Sequence, residues 1–137
     1  PIKDEVCVKW VLHMIRNGIN LVAVCHWGNV VGHTALFPID NRKCELLVVV
    51  HPPHQNQGIG TQLTGASMRL AEELGFEQIW LPVEVTNLRA RHVYKKCGFR
   101  YVFLESSGEA EMVADLKHYG HDVVADSYPG LVAIPKR

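Results

Sequence analysis

Apolar and polar positions follow two different periods along this chain. Residues 19–26 and 30–37 are β-rich apolar runs, and Trp27-Gly28-Asn29 between them is typical of a hairpin turn. Residues 44–50 are apolar at almost every position, which is typical of a central strand covered on both faces. Residues 58–74 instead place apolar side chains every three or four positions, and this spacing predicts an amphipathic helix.

The remaining segments continue an alternation of strands and helices. The spacing of apolar positions in residues 3–16 predicts a helix in front of the hairpin. Residues 77–85 predict a strand, in which Pro82 removes a ladder hydrogen bond and so indicates an edge, a splay or a bulge. Three further elements are predicted: a short helix led by Asn87, a strand at 99–104 and a strand at 110–116.

This order predicts an α/β fold, of the α+β kind with a mixed sheet. The helix at 58–74 connects two central strands, and such a connection is typical of parallel neighbours. We expect a single domain over residues 1–137 with its core at 19–116, while the polar tail at 117–137 has no assigned structure.

The amino-acid composition argues against two classes of binding partner, nucleic acids and membranes. The 14 basic and 14 acidic side chains give a formal net charge of zero, whereas a nucleic-acid-binding protein usually carries a basic excess. The apolar runs are too short to span a membrane, so neither nucleic acid nor membrane is an expected partner. The acidic N-terminal residues differ from a signal peptide, and we expect a cytoplasmic protein. The four cysteines form no C-x-x-C pair, so no metal site is predicted.

The segment between the buried strand and the next helix carries the chemical signal. The strand leads into residues 55–60, a loop with Gly58 and Gly60 that begins the helix. Glycines let the backbone approach a ligand closely, and the first-turn N–H groups of a helix bind phosphate. Two other phosphate loops are excluded, because Leu63 replaces the third glycine of a dinucleotide-binding loop and Ala66 replaces the Walker A lysine.

This loop resembles the pattern Q/R-x-x-G-x-G/A of the GNAT superfamily of acyl-CoA-dependent N-acyltransferases, with Gln55, Gly58 and Gly60 at its defined positions. The run from Asn87 to Phe99 resembles the family's Asn-led helix and Gly-Phe turn, in the expected order. The resemblance implies a GNAT-like fold in which the two central strands splay apart and hold the cofactor, acetyl-CoA.

The resemblance also implies an activity, the transfer of an acetyl group from acetyl-CoA to the amine of a small molecule or peptide. In this family the glycine loop wraps the diphosphate, the end of the central strand binds the pantetheine arm, and Tyr94 would protonate the departing thiolate. The residues implied to bind the cofactor are Val48, Val49, Val50, Gln55, Asn56, Gln57, Gly58, Ile59, Gly60, Thr61, Asn87 and Tyr94.

The sequence leaves several candidates for the general base. Aminolysis of a thioester needs a neutral amine, and therefore a base or a chain of water molecules. Glu45 on the central strand is the catalytic candidate, but the register counted back from Gln55 places Cys44 at the family's position. A shift of one residue sends a side chain to the other face of a sheet. The remaining candidates are Glu84, His51, His33 and a water relay.

The helix led by Asn87 is basic. It carries Arg89, Arg91, Lys95 and Lys96. A solvated face is the simpler interpretation of these side chains, and contact with the phosphates of CoA is the alternative.

The N-terminal part departs from the family pattern. The family begins with a strand and a helix ahead of the segment that matches residues 3–16, so the resemblance implies a chain shortened at its N-terminus. The acceptor groove would then be reduced, or completed by a partner subunit, as in a homodimer. Two functions follow: an active N-acetyltransferase, and a CoA-binding regulatory or structural module without turnover.

Overall fold

The computed structural model describes residues 9–15, 18–24, 29–51, 55, 58–116 and 131–134. These ranges contain one eight-stranded sheet and two helices. The elements in chain order are β1 Lys9–Ile15, β2 Gly18–Val24, β3 Val30–Pro38, β4 Lys43–Val50, α1 Ile59–Glu73, β5 Gln78–Glu84, α2 Leu88–Lys96, β6 Arg100–Phe103, β7 Glu109–Asp115 and β8 Leu131–Ile134. Neither of these two helices is long and apolar enough to cross a membrane.

The sheet is mixed, with strand order β6-β7-β5-β4-β3-β2-β1-β8. Neighbouring strands are antiparallel except for two pairs, β4 with β5 and β1 with β8, which are parallel. Helix α1 connects the parallel neighbours β4 and β5, as the sequence predicted. The α/β fold with a mixed sheet is therefore confirmed.

The helix predicted at residues 3–16 is wrong where the structure describes it. Lys9–Ile15 form strand β1, which pairs with β2 on one side and with β8 on the other. The backbone groups of this segment are therefore satisfied by two neighbouring strands. Such tertiary pairing overrides a short helical spacing of apolar residues, since intrinsic helix propensity is weak. Residues 3–8 lie outside the described ranges.

The tail contains a strand that the sequence analysis left unassigned. Leu131–Ile134 form β8 at the edge of the sheet, in parallel register with Trp10 to His13 of β1. The four-residue apolar run between glycine and proline is a strand signal, but its partner is more than a hundred positions away in the chain. Sequence periodicity alone does not identify such a partner.

Helix α1 packs across β2, β3 and β4 on one face of the sheet. Its apolar side chains Ile59 and Leu63 are 1% and 0% exposed and pack with Leu21 and Val31. Fully burying a side chain of this size contributes about 1.5–3 kcal/mol relative to leaving it exposed. A side chain at Gly32 would meet Leu63 Cδ1 at 2.6 Å, so only glycine lets the helix approach β3 this closely.

A buried hydroxyl chain fixes the same helix. The Thr34 hydroxyl donates to the Leu47 carbonyl at 2.8 Å and lies 2.8 Å from the Ser67 hydroxyl. The single proton of the Ser67 hydroxyl is shared between Thr34 and the Leu63 carbonyl, which lies at 2.7 Å. Both hydroxyl side chains are at most 1% exposed. Buried polar groups are costly unless they are paired, so this chain determines where α1 lies on β3 and β4.

Candidate cofactor cleft

The central strands β4 and β5 pair over only part of their length. Their ladder joins Lys43 to Glu45 on β4 with Gln78 to Trp80 on β5, and the described residues form no further pairs between them. Because β4 continues to Val50 and β5 to Glu84, the strands part beyond this point. The predicted splay between the central strands is confirmed.

The hydrogen bonds of β4 show which of its backbone groups face the gap. The Arg42 carbonyl accepts from the Glu77 N–H at 2.7 Å, so even-numbered residues are directed towards β5. The His51 N–H donates to the Val31 carbonyl at 2.9 Å, so odd-numbered residues are directed towards β3. The orientation alternates along a strand, and each residue places its N–H and C=O on the same side.

Val48 and Val50 therefore direct their N–H and C=O groups into the gap, and they also line the cleft described below. Val49 has the opposite orientation. Its backbone pairs with His33 on β3, and its side chain, 44% exposed, lies on the other face of the sheet. The structure places only two of these three predicted residues at the gap.

The facing edge, on β5, lacks a donor at its centre. The Gln78 N–H donates to the Arg42 carbonyl, whereas the Val85 N–H donates to the Gly108 carbonyl beyond β7. Even-numbered residues of β5 therefore face β4, and Pro82 is one of them. Because proline has no N–H, β5 cannot donate a ladder bond across the gap there. The sequence signal of Pro82 corresponds to the splay.

Helix α1 begins at the mouth of the gap. Gly58 is its N-cap, in the left-handed conformation at φ 82°. It makes no side-chain cap bond, and the first turn contains no acidic residue. The N–H groups of Ile59, Gly60 and Thr61 belong to the first turn, which lacks intrahelical acceptors and lies at the positive end of the helix dipole. This end of α1 has the features of a phosphate site.

Helix α2 forms the opposite wall. Asn87 is its N-cap, and its side-chain oxygen accepts from the Ala90 N–H at 3.2 Å. The Tyr94 ring lies 5.6 Å from the Phe99 ring, at a tilt of 56°. No described residue is hydrogen bonded to the Tyr94 hydroxyl, and burial, together with Cys97, raises its pKa above 10.0. Tyr94 therefore presents a protonated hydroxyl at neutral pH.

Together these elements enclose a cleft of about 560 Å³, lined from β4, the start of α1 and α2. Eight of the predicted cofactor-binding residues line it: Val48, Val50, Gln55, Gly58, Gly60, Thr61, Asn87 and Tyr94. Ile59 contributes its first-turn N–H, but its side chain is buried under the helix. The predictions for Asn56 and Gln57 lie outside the described residues.

The basic residues of α2 have different surroundings. Arg89 is the single charged residue among the described residues that line the cleft. Arg91 donates to the Tyr101 hydroxyl and to the Val85 carbonyl, each at 2.6 Å. In the sequence these residues form one basic helix, and the pattern does not distinguish Arg89 from the others. The available signal was its position in the first helical turn, where the dipole disfavours a cation.

The candidate bases lie outside the cleft lining. Glu45 is half-buried at the last β4–β5 pair, and its side chain lies on the sheet face opposite α1. Cys44 is fully buried, and burial raises its pKa to about 12, so it is unsuited to accept a proton. His33 is 2.8 Å from the Asn20 side-chain oxygen, also on the far face. Glu84 and His51 are exposed.

Comparison with known proteins agrees with this geometry. Residues 3–99 match the acetyltransferase (GNAT) family. Spermidine N(1)-acetyltransferase of Vibrio cholerae is 31% identical over 74 residues, which are 52% of this chain and 43% of the relative. Streptothricin acetyltransferase of Streptomyces lavendulae is 35% identical over 60 residues, or 44% of this chain and 32% of that protein. The matches span less than half of either relative.

Solved structures share the fold. A variant of the Vibrio cholerae spermidine N-acetyltransferase superposes with a TM-score of 0.69 at 22% identity, covering 79% of this chain and 71% of that one. Nourseothricin acetyltransferase superposes with a TM-score of 0.64 at 27% identity, covering 73% of this chain and 66% of the other.

Proposed function

Because this chain belongs to the acetyltransferase (GNAT) family, we propose that it transfers an acetyl group from acetyl-CoA to a primary amine by direct attack. The observation that carries this proposal is the gap between β4 and β5. One edge of the gap offers the backbone groups of Val48 and the N–H of Val50, and the other edge contains Pro82. The Val50 carbonyl accepts from the Gln55 side chain at 3.1 Å. An extended, amide-containing arm such as pantetheine can bind the free edge as an added strand would.

The residues at the mouth of the cleft fit the rest of the cofactor. The first-turn N–H groups of α1 would bind the diphosphate, and Gly58 and Gly60 leave no side chain between it and the backbone. Asn87 on the facing wall would lie beside the pantetheine arm. Acetyl-CoA supplies the activated acyl group, and no covalent bond to this chain is required.

Tyr94 is the proposed proton donor to the departing thiolate. Tyr94 lines the cleft, and its raised pKa keeps the hydroxyl protonated throughout the neutral range. A donor at this place lowers the barrier because the thiolate leaves without accumulating charge in a partly buried site.

Glu45 is the proposed acceptor of the amine's proton. It lies where the strands begin to part, on the face opposite the cofactor cleft. An amine that approaches from that face would reach the gap with the carboxylate beside it, either directly or through water. Glu84, an exposed carboxylate at the far end of β5, adds a second negative charge on the same face of the sheet, which favours a cationic acceptor.

For the acceptor we propose a small polyamine or an amine-bearing antibiotic. The two curated relatives are named for spermidine and streptothricin, and both compounds carry several amines. The test is the release of free CoA thiol from acetyl-CoA with spermidine, streptothricin and a panel of monoamines. Turnover on spermidine or streptothricin supports this acceptor class, whereas turnover on monoamines alone would overturn it and leave the acetyl transfer itself supported.

The Tyr94→Phe variant tests the proton donor. We expect kcat to fall by about 10²- to 10⁴-fold, with unchanged stability and CoA affinity, because only the hydroxyl is lost. In the parent protein the contribution of this proton should persist at neutral pH and be lost as the pH rises through a pKa above 10.0. Full activity of the variant would overturn the role of Tyr94.

A CoA-binding module without turnover is the second candidate function. It is favoured by the position of the ionisable candidates, because no carboxylate or histidine is among the described residues that line the cleft. Thermal stabilisation by CoA, with no thiol release on any amine, would support the module and overturn the enzyme.

A further inference from the structure

A side chain, that of Gln55, bridges the mouth of the cleft, and the proposed reaction assigns no role to this bridge. The Gln55 side chain donates from Nε2 to the Val50 carbonyl at 3.1 Å, and its Oε1 accepts from Arg89 at 2.9 Å. A carbonyl can only accept and a guanidinium can only donate, so both ends of the amide have a fixed orientation. The bridge therefore joins the end of β4 to the first turn of α2.

The position of Arg89 on α2 is unfavourable for a cation. It occupies the second position of α2, where the helix dipole disfavours a positive charge. The Gln55 bond occupies one of its five N–H donors, and the described residues provide no partner for the others. No carboxylate lines the cleft within the described ranges. A guanidinium that is held at the mouth of a cleft by one neutral partner, with donors left over, is suited to bind an anion from solution.

We propose that Arg89 binds a phosphate group of CoA and that Gln55 is the residue that positions it. This inference rests on the proposed function, because it assigns a residue to the same cofactor. The first turn of α1 provides one anion site, and Arg89 on the facing wall provides a second. Gln55 thus acts through Arg89, and its side chain contacts β4 and α2 instead of the ligand.

The first experiment measures the affinities of CoA, dephospho-CoA and pantetheine by titration calorimetry. For the R89Q variant we expect CoA affinity to fall about tenfold, the loss of a charge-assisted contact at an exposed site. Pantetheine has no phosphate, and its affinity should not change. A loss with CoA alone identifies the 3′-phosphate, and an equal loss with dephospho-CoA identifies the diphosphate; either supports the proposal.

The matched control is K96Q, which removes the same charge from the last turn of α2, outside the cleft. Its CoA affinity should stay within about twofold of the parent. Salt screens an Arg–phosphate contact, so CoA affinity should fall more steeply with rising salt in the parent and in K96Q, which keep Arg89, than in R89Q.

The second experiment tests the positioning role. We expect Q55A to lower CoA affinity about threefold in the parent and to have no further effect in the R89Q background. An equal effect of Q55A in both backgrounds would show that Gln55 does not act through Arg89. If R89Q binds CoA as tightly as the parent, or if it loses as much affinity for pantetheine as for CoA, this inference is overturned while the proposed function stands. A parent protein that binds no CoA would overturn the proposed function as well.

Discussion

Gly32 provides a quantitative test of how α1 is seated on the sheet. In Gly32→Ala the new methyl carbon would lie 2.6 Å from Leu63 Cδ1, 3.2 Å from the Val49 carbonyl oxygen and 3.3 Å from Ile59 Cγ2. Leu63 is flexible in principle, but its side chain is 0% exposed and has no free space to enter. The other two contacts are a backbone atom and a buried branched side chain, which yield little.

Relieving these contacts requires α1 to move away from β3. Overpacking of this kind costs about 1–3 kcal/mol. Replacing glycine within a strand recovers about 0.5–1 kcal/mol of chain entropy. We therefore expect Gly32→Ala to lower the free energy of unfolding by up to about 2.5 kcal/mol and to weaken CoA binding, because the start of α1 is displaced.

Urea unfolding at equilibrium measures this difference, and Gly60→Ala is the matched control. A methyl carbon at Gly60 would meet only Val50 Cγ2, at 3.7 Å, an ordinary contact. Because alanine is the better helix former, this variant should keep or raise stability, by at most about 1 kcal/mol. A Gly32→Ala protein more stable than the parent would refute the close approach of α1 to β3.

Three further predictions concern the cleft and the core. Gly58→Ala should lower stability by about 1 kcal/mol because φ is 82°, and it should cause no clash because open space surrounds the position. Thermal unfolding measures this loss of stability, and an unchanged melting temperature would contradict the left-handed conformation. Asn87→Ala should cost about 1 kcal/mol through the lost cap of α2, whereas Asn87→Asp should retain most of it. The Cys44 thiol has a pKa of about 12 instead of 9.0, so folded-state stability should fall as pH rises from 9 to 12. Burial also raises the pKa of the Cys97 thiol, to about 11, so Cys44→Ala should reduce that slope without abolishing it. An unaltered slope would exclude a contribution from Cys44.

Local patterns determined much of the molecule. From residue 19 to residue 116 the alternation of apolar positions predicts each strand and helix in its observed order, since periods of two and 3.6 belong to different backbones. The glycines at 58 and 60 and the cap at Asn87 are local signals too, because each acts on its own turn of helix. The chemistry of the cleft could therefore be inferred before its shape.

The tertiary structure decided what depends on distant partners. Residues 9–15 form a strand because β2 and β8 pair with both edges, which no local spacing shows. The faces of Glu45 and Val49 follow from the β3–β4 register, since a one-residue shift would exchange them. The contact between Gln55 and Arg89 joins positions 34 apart and forms only because the splay brings the end of β4 beside α2. Sequence specifies the elements here, and the packing of β4 against its neighbours specifies the site.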